Sequence, residues 1–422
     1  MTDTERLPAS GEPTRAAGAE LAEPRPTTSS STLGGARHHF SVDRAPADDP
    51  RTAVEQLTAA VTARLDALSA DPADVARLSL FLTAPLAVEE AATIVAGALG
   101  EPPPPIELFA QPPAGGGAAA LSWVLTGEQA AVERLSAGAA RLRQPGLTLT
   151  VLGHVGGEPP ALTAADHAEG LRRFDARLRA TGLGLRDAVK LWTVFPSTPE
   201  VRSEDAFIAF NGGRADVFEA VDFHRSGAAG APRYPASTGV GALDDTAPLS
   251  GIAVAGETPA LQVENPGQVS AFRYPSRRIA RPALFSRAVA LDVGSDVMTL
   301  VAGTGSTVGA RTAHVGDPAA QAEQVLRNVD RLISRENLTA AGLPVDAGGL
   351  ATLSHVVVYA ADEQAEEAAR EVCSRMLPPA VPMLLVRSRL TRADLLVEAD
   401  GIAFAPRARA VEPGLASRRP PL

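Results

Sequence analysis

Two stretches of the chain carry apolar residues at the spacing of one helix face, and they align with each other. In "TAADHAEGLRRFDARLRATG" (163–182) these are Leu171, Phe174 and Leu178; in "DPAAQAEQVLRNVDRLISREN" (317–337) they are Val325, Val329, Leu332 and Ile333. Setting "HAE" (167–169) on "QAE" (321–323) gives an offset of 154 residues, which puts Leu171 and Leu178 on Val325 and Leu332. Each helix follows a glycine-punctuated turn, "GHVGGEPP" (153–160) or "GTGSTVGARTAHVGD" (303–317). After each comes a β-rich run, "AVKLWTVFP" (188–196) or "LSHVVVYAAD" (353–362), then a second helical segment at 204–220 or 363–376. Proline-led strands follow at 233–245 and 377–390. The predicted order in each unit is strand, strand, helix, strand, helix, strand, strand. A fainter third copy lies upstream, with helices at 53–69 and 87–99 and strands at 74–82 and 119–127.

Residues 1–36, rich in Pro, Ala, Ser, Thr and Gly and without periodicity, read as a disordered tail. The predicted division is a tail at 1–36, modules at 37–130, 131–262 and 263–410, and a flexible tail at 411–422. Of the 422 residues, 45% are hydrophobic and 21% charged, and the net charge of −10 argues against a nucleic-acid partner. One cysteine, Cys373, precludes a disulfide framework or a cysteine metal site within the chain. No apolar run suits a membrane span or a secretion signal, so a cytoplasmic location is expected. His38 and His39 beside the tail read as solvated, and His167 as a surface position on its helix. The remaining histidines, 154, 224, 314 and 355, show no paired ligand spacing, and no metal is expected.

The segment "LTRADLLVEADG" (390–401) poses a chemical question. Glu398 and Asp400 sit two apart in an apolar strand, so their side chains share a face. A free glutamic acid loses its proton at about pH 4.3. Burial behind Leu395, Leu396 and Val397, with a second carboxylate alongside, would raise that toward about 6–7, the range of a general acid. The alternative is a pair of solvated acids matched by Arg387, Arg389 or Arg392.

Three motifs resemble the RidA/YjgF-like superfamily: Val189-Lys190 through Phe195, then Phe207 with Asn211, then Pro235-Ala236-Ser237-Thr238. The resemblance implies an α+β fold of tandem modules, each a mixed sheet with two helices on one face. The C-terminal half resembles one branch, the chorismatases, which hydrolyse chorismate and release pyruvate. The stretches that carry it are 269–288, "GTGSTVG" (303–309), "HVGDPAAQ" (314–321), "RADLLVEADG" (392–401) and "FNGGR" (210–214), within residues 130–405.

The resemblance implies that Glu398 is the catalytic acid and Asp400 its modulating neighbour. It makes Asn211, Arg214, Tyr274, Arg281, Gly305, Ser306 and Thr391 candidates for binding a small dianionic carboxylate, with no cofactor. Several positions depart from the family pattern: Gly309-Ala310-Arg311 replaces Gly-His-Glu, Phe272 and Ile279 replace tyrosines, and Thr391 matches neither product-determining residue. Two other readings compete. An imine or enamine hydrolase would need a carboxylate-binding arginine near "PPAVPML" that this chain lacks. A non-catalytic anion binder would have bulky side chains filling the space around Glu398. RidA-like proteins form trimers with sites between subunits, so three modules in one chain imply a monomer that imitates the ring, with a homotrimer as the alternative.

Overall fold

The computed structural model describes residues 27–154, 162–196, 203–226, 230–242, 248–274 and 281–408. The tail readings at 1–26 and 411–422, and Ile279, lie outside these residues.

The first module runs β1 (Thr28–Leu33), β2 (Ala36–Ala45), α1 (Pro50–Leu68), β3 (Val75–Phe81), α2 (Val88–Leu99), β4 (Ile106–Phe109), β5 (Ala118–Thr126). The second runs β6 (Ala131–Ser136), β7 (Ala139–Gln144), β8 (Leu147–Leu152), α3 (Ala164–Ala180), β9 (Ala188–Phe195), α4 (Ser203–Phe218). It continues through the short pair β10 (Arg225–Ser226) and β11 (Ala231–Pro232) to β12 (Ala236–Gly241) and β13 (Leu249–Ala255). The third opens with β14 (Ala260–Val263), β15 (Ala288–Asp292), β16 (Asp296–Gly305) and the hairpin β17 (Thr307–Val308) and β18 (Arg311–Thr312). It ends with α5 (Pro318–Leu332), α6 (Arg335–Ala340), β19 (Leu353–Ala360), α7 (Glu363–Met376), β20 (Met383–Arg387) and β21 (Val397–Pro406).

The sheets order as β1-β2-β5-β3-β4, β12-β9-β13-β8-β7-β6 and β14-β15-β16-β21-β19-β20. All three share one four-strand pattern, with a parallel pair (β3/β4, β9/β12, β19/β20) beside two antiparallel strands. The architecture is thus tandem α+β modules, and the faint third copy is a complete one. The 154-residue offset holds from α3 to α5, and the interposed α6 then lengthens the third module. Caps fix where the helices start. Asp49, Thr163, Asp317 and Asp362 each accept a backbone N–H of the first turn, and Pro50 and Pro318 occupy the first helical position.

Three sequence expectations need correction. Residues 28–33 were expected to be tail but form β1, which pairs along its whole length with β2. His38 and His39 are buried rather than solvated, because β2 is an interior strand. His38 Nε2 meets Gln144 Oε1 at 2.7 Å, and its Nδ1 accepts from Trp123 Nε1 at 3.1 Å. His167 is also buried, edge-on to Phe195 and Phe210, because α3 packs against α4 there. Among the described residues no helix is long and apolar enough to cross a membrane.

Strand alternation explains where the site lies. On β21, Val397, Ala399, Ala403 and Ala405 join the core beneath α5 and α7. Ile402 and Phe404 point the other way, into a core that all three modules share. Glu398 and Asp400 belong to that second set, so they face neighbouring modules instead of water.

Candidate active site

A cavity of about 400 Å³ opens at the seam of the second and third modules. The second module contributes Phe195, Phe207, Phe210, Arg214, Ser237 and Gly239; the third contributes Tyr274, Phe285, Arg287, Gly303, Gly305, Thr391, Arg392 and Glu398. A filled site, as a non-catalytic reading required, is not what the chain builds.

Glu398 is only 5% exposed, and no hydrogen-bond donor among the described residues reaches its carboxyl. Burial, reinforced by the charge of Asp400, pushes its pKa up to about 7 against the pull of Arg392, Arg287 and Lys190. The acid is therefore half protonated near neutral pH, as general acid catalysis requires. Gly303 gives it room: a Cβ there would stand 2.1 Å from Glu398 Oε1.

Asp400 differs in every respect except burial. Its Oδ2 accepts from Trp192 Nε1 at 2.8 Å, Thr238 Oγ1 at 2.5 Å and Lys190 Nζ at 3.2 Å. Lys190 also donates to Thr238 Oγ1 at 2.7 Å and to the carbonyl of Val301 at 2.6 Å. Of the arginines weighed as partners for these acids, Arg387 pairs with Glu363 and Glu366, while Arg392 lies 3.7 Å from Asp394, lines the cavity and pulls on Glu398.

Lys190 belongs to a set repeated across the modules. Arg77 on β3, Lys190 on β9 and His355 on β19 each sit beside the register shift of their strand. Arg77 pairs with Glu107 and stacks 3.8 Å over the Trp192 ring. Burial takes the His355 pKa down to about 3, so it is neutral. Two cations thus face two anions, which is how buried charge is tolerated. The acid itself is not repeated. Glu398 lies opposite Tyr359, whereas Ala119 lies opposite Phe81, and Pro248 accepts the N–H of Val194 at the matching place. At the seam of the third and first modules, Ala114 N–H donates to Leu385 O and Arg387 N–H to Pro112 O, each at 2.8 Å, so a loop closes that cleft.

The expected ligand-binding residues divide. Arg214 lines the cavity, 1% exposed, with Phe210 and Phe285 beside its guanidinium. It donates to Asn211 Oδ1 at 2.5 Å, and its Nε has no partner among the described residues. Asn211 therefore positions Arg214 instead of touching the cavity. Tyr274, Gly305 and Thr391 line the cavity as expected. Arg281 does not: it forms ion pairs at the protein surface with Asp216 of α4 and with Glu219 just past its end, both solvent-exposed. Ser306 turns away and donates to the carbonyl of Ala313 at 3.0 Å.

The cation that sequence reasoning missed is Arg287, 3% exposed, which donates to the Tyr274 hydroxyl and to Val269 O. Its flanks, "LFSRAVAL", were the available signal, since an arginine abutting an apolar strand is held in the interior. The aromatic wall of Phe195, Phe207 and Phe285 was likewise unforeseen.

No family model matches the chain. Over 225 residues, 52% of its length, it is 32% identical to a chorismatase from Streptomyces rapamycinicus, and the match covers 65% of that relative. Over 230 residues it is 31% identical to a 3-hydroxybenzoate synthase from Streptomyces hygroscopicus, covering 64% of that protein. The match thus spans less than two thirds of either relative. A chorismatase crystal structure superposes with a TM-score of 0.64 at 22% identity, covering 89% of this chain and 99% of that one. In sequence over half its length the chain is thus similar to a chorismatase and a 3-hydroxybenzoate synthase, and over most of its length it has the fold of a chorismatase.

Proposed function

We propose that the protein hydrolyses the enolpyruvyl ether of chorismate, or a close relative of it, with Glu398 as general acid. The observation that carries this reading is a buried, protonatable Glu398 opening into a cavity walled by aromatic rings and by two buried arginines, Arg214 and Arg287. The volume suits a small ligand. The arginines suit its two carboxylates, since guanidinium forks bind that group in the plane.

The chemistry follows from the acid's position. Glu398 gives its proton to the terminal methylene of the enol ether, whose π electrons form the new C–H bond and leave an oxocarbenium ion at the ether carbon. Water adds to that carbon, and the carboxylate left on Glu398 accepts the proton that the water sheds. The resulting hemiketal collapses to pyruvate and a ring alcohol. The ring product is a dihydroxycyclohexadiene carboxylate, or a hydroxybenzoate if water is then lost. No step calls for a metal or an organic cofactor. Phe195, Phe207 and Phe285 shield the cation from bulk water, which strengthens every charge contact inside. Three modules in one chain, with one acid among them, support a monomer with a single site. A cytoplasmic enzyme of secondary metabolism fits this reading.

The test is pyruvate release from chorismate by the purified chain beside Glu398→Gln, with identification of the ring product. Release by the wild type alone supports the reading. No release by the folded wild type overturns it.

A further inference from the structure

We propose that Lys190 decides which of the two carboxyl groups on β21 carries the proton: reaching over from the second module, it holds Asp400 ionised and leaves Glu398 as the acid. This rests on the reading of Glu398 as general acid and adds a positioning residue on a different module.

The argument begins with the strand. Residues two apart on one face stand roughly 7 Å apart along the chain. Two buried carboxylates that close do not both ionise cheaply, so over a broad pH range the pair holds one proton. Nothing in the chemistry of Asp and Glu says which will hold it, because their free pKa values differ by about 0.4. Hydrogen bonds decide. Three donors converge on Asp400 Oδ2, one of them the Lys190 ammonium, and each favours the anion. None among the described residues reaches Glu398.

The surrounding charges agree. Asp400 faces Lys190, neutral His355 and, across the strand pair, Tyr359, with Arg77 and Glu107 behind them. Glu398 faces Asp400 on its own strand, Tyr359 opposite, and Arg392 and Arg287 across the cavity. Arg287 is one of the two arginines that a carboxylate ligand would engage, and its pull on Glu398 weakens when it does; Lys190 also pulls on Glu398, but from behind Asp400. Of the two cations in the repeated set, only Lys190 bonds to a side chain of the strand that bears the acid; Arg77 is committed to Glu107 within its own module.

The test compares Lys190→Met, Asp400→Asn and the double variant in the full chain. One arm measures pyruvate release against pH. The other follows glutamate carboxyl resonances by 13C NMR, with Glu398 assigned through Glu398→Gln. In the wild type the Glu398 resonance titrates at about 7. In Lys190→Met the cation that favours the Asp400 anion is gone, the two carboxyl groups share the proton, the Glu398 resonance no longer follows the single wild-type step, and turnover falls about a hundredfold. In Asp400→Asn the Glu398 resonance titrates at lower pH, because a cation remains where the anion was. In the double variant Asn cannot take the proton, so Glu398 regains it and turnover recovers at least about tenfold over Lys190→Met.

A purely structural lysine gives the opposite pattern, with the double variant no better than either single. That result, or a Glu398 titration in Lys190→Met unchanged from the wild type, overturns the proposal. The double variant replaces a buried ion pair with neutral groups, so it is expected to fold even if Lys190→Met does not. If the wild type releases no pyruvate, the functional reading fails, while the resonances still report where the proton lies.

Discussion

Gly303 lies directly beneath Glu398: a methyl group on its Cα would stand 2.1 Å from Oε1 of the acid and 3.2 Å from the Cα of Thr238. Carboxyl and backbone thus share a space that only glycine leaves open. Gly303→Ala is expected to keep the fold, because the clashing atom is the end of a flexible side chain that can swing aside. The swing takes the acid off its target, and turnover is expected to fall about a hundredfold. Thermal melting beside pyruvate release checks both halves. A variant that loses stability and activity in proportion would contradict this division.

The raised pKa of Glu398 also has a stability signature. Unfolded, the group loses its proton near the ordinary glutamate value of 4.5; folded, it keeps the proton to about 7. Between these values the folded state binds more protons, so stability falls as pH rises through the window. Above it the group costs up to about 3 kcal/mol. Glu398→Gln has no proton to lose. It is expected to be more stable than the wild type at pH 8 and equal to it near pH 4, as read by urea denaturation. An equal difference at both pH values would mean that Glu398 is not held protonated.

Much of this arrangement could be read from the chain, and the limits have physical causes. Helix stripes and their caps are local, so α3 and α5 were visible together with the offset between them. The strand alternation that puts Glu398 and Asp400 on one face is local too. What that face meets is not, because a second module supplies it. Lys190 reads as one polar residue in an apolar strand until Asp400, 210 positions on, is seen beside it. Arg281 and Arg287 are both arginines in one short stretch, and composition cannot tell them apart. Asp216 and Glu219 take Arg281 to the surface, and the Tyr274 hydroxyl and Val269 carbonyl hold Arg287 inside. His38, His39 and His167 were misread for the same reason, since burial by a distant strand or helix leaves no mark nearby.

Buried histidines set the acid limit of stability. Burial lowers the pKa of His38, His154 and His167 to about 4 and that of His355 to about 3. The unfolded chain takes up these protons from about 6.5 downward, while the folded chain cannot until pH 4 or below. Stability is therefore lost as pH falls through that window. The first three each cost up to about 3 kcal/mol and His355 up to about 5, and together they rival the whole stability of a typical protein, about 5–15 kcal/mol. Acid unfolding is expected between about pH 6 and 4. His167 Nε2 has no partner among the described residues, so His167→Leu is expected to move the midpoint to lower pH. Far-UV circular dichroism against pH reads both, and an unmoved midpoint would exonerate His167.

Arg214 and Arg281 separate an interior cation from a surface one. Burial pulls the Arg214 pKa down to about 9, which still leaves it charged at neutral pH. It faces aromatic rings, an amide and a hydroxyl in place of a carboxylate, so a ligand carboxylate would be its first anionic partner among the described residues. A hydrogen bond to a charged group contributes about 1.5–3 kcal/mol, so Arg214→Met is expected to raise KM for chorismate roughly ten- to a hundredfold. Arg281 is 40% exposed and already shared between Asp216 and Glu219. Exposed pairs contribute about 0–1 kcal/mol, and the group does not line the cavity, so Arg281→Ala is expected to leave KM and kcat within about twofold. Steady-state kinetics on the two variants decides between them. Were Arg281→Ala to raise KM and Arg214→Met not to, the ligand would have to bind on the outer face of α4, and the cavity beside Glu398 would not be the site.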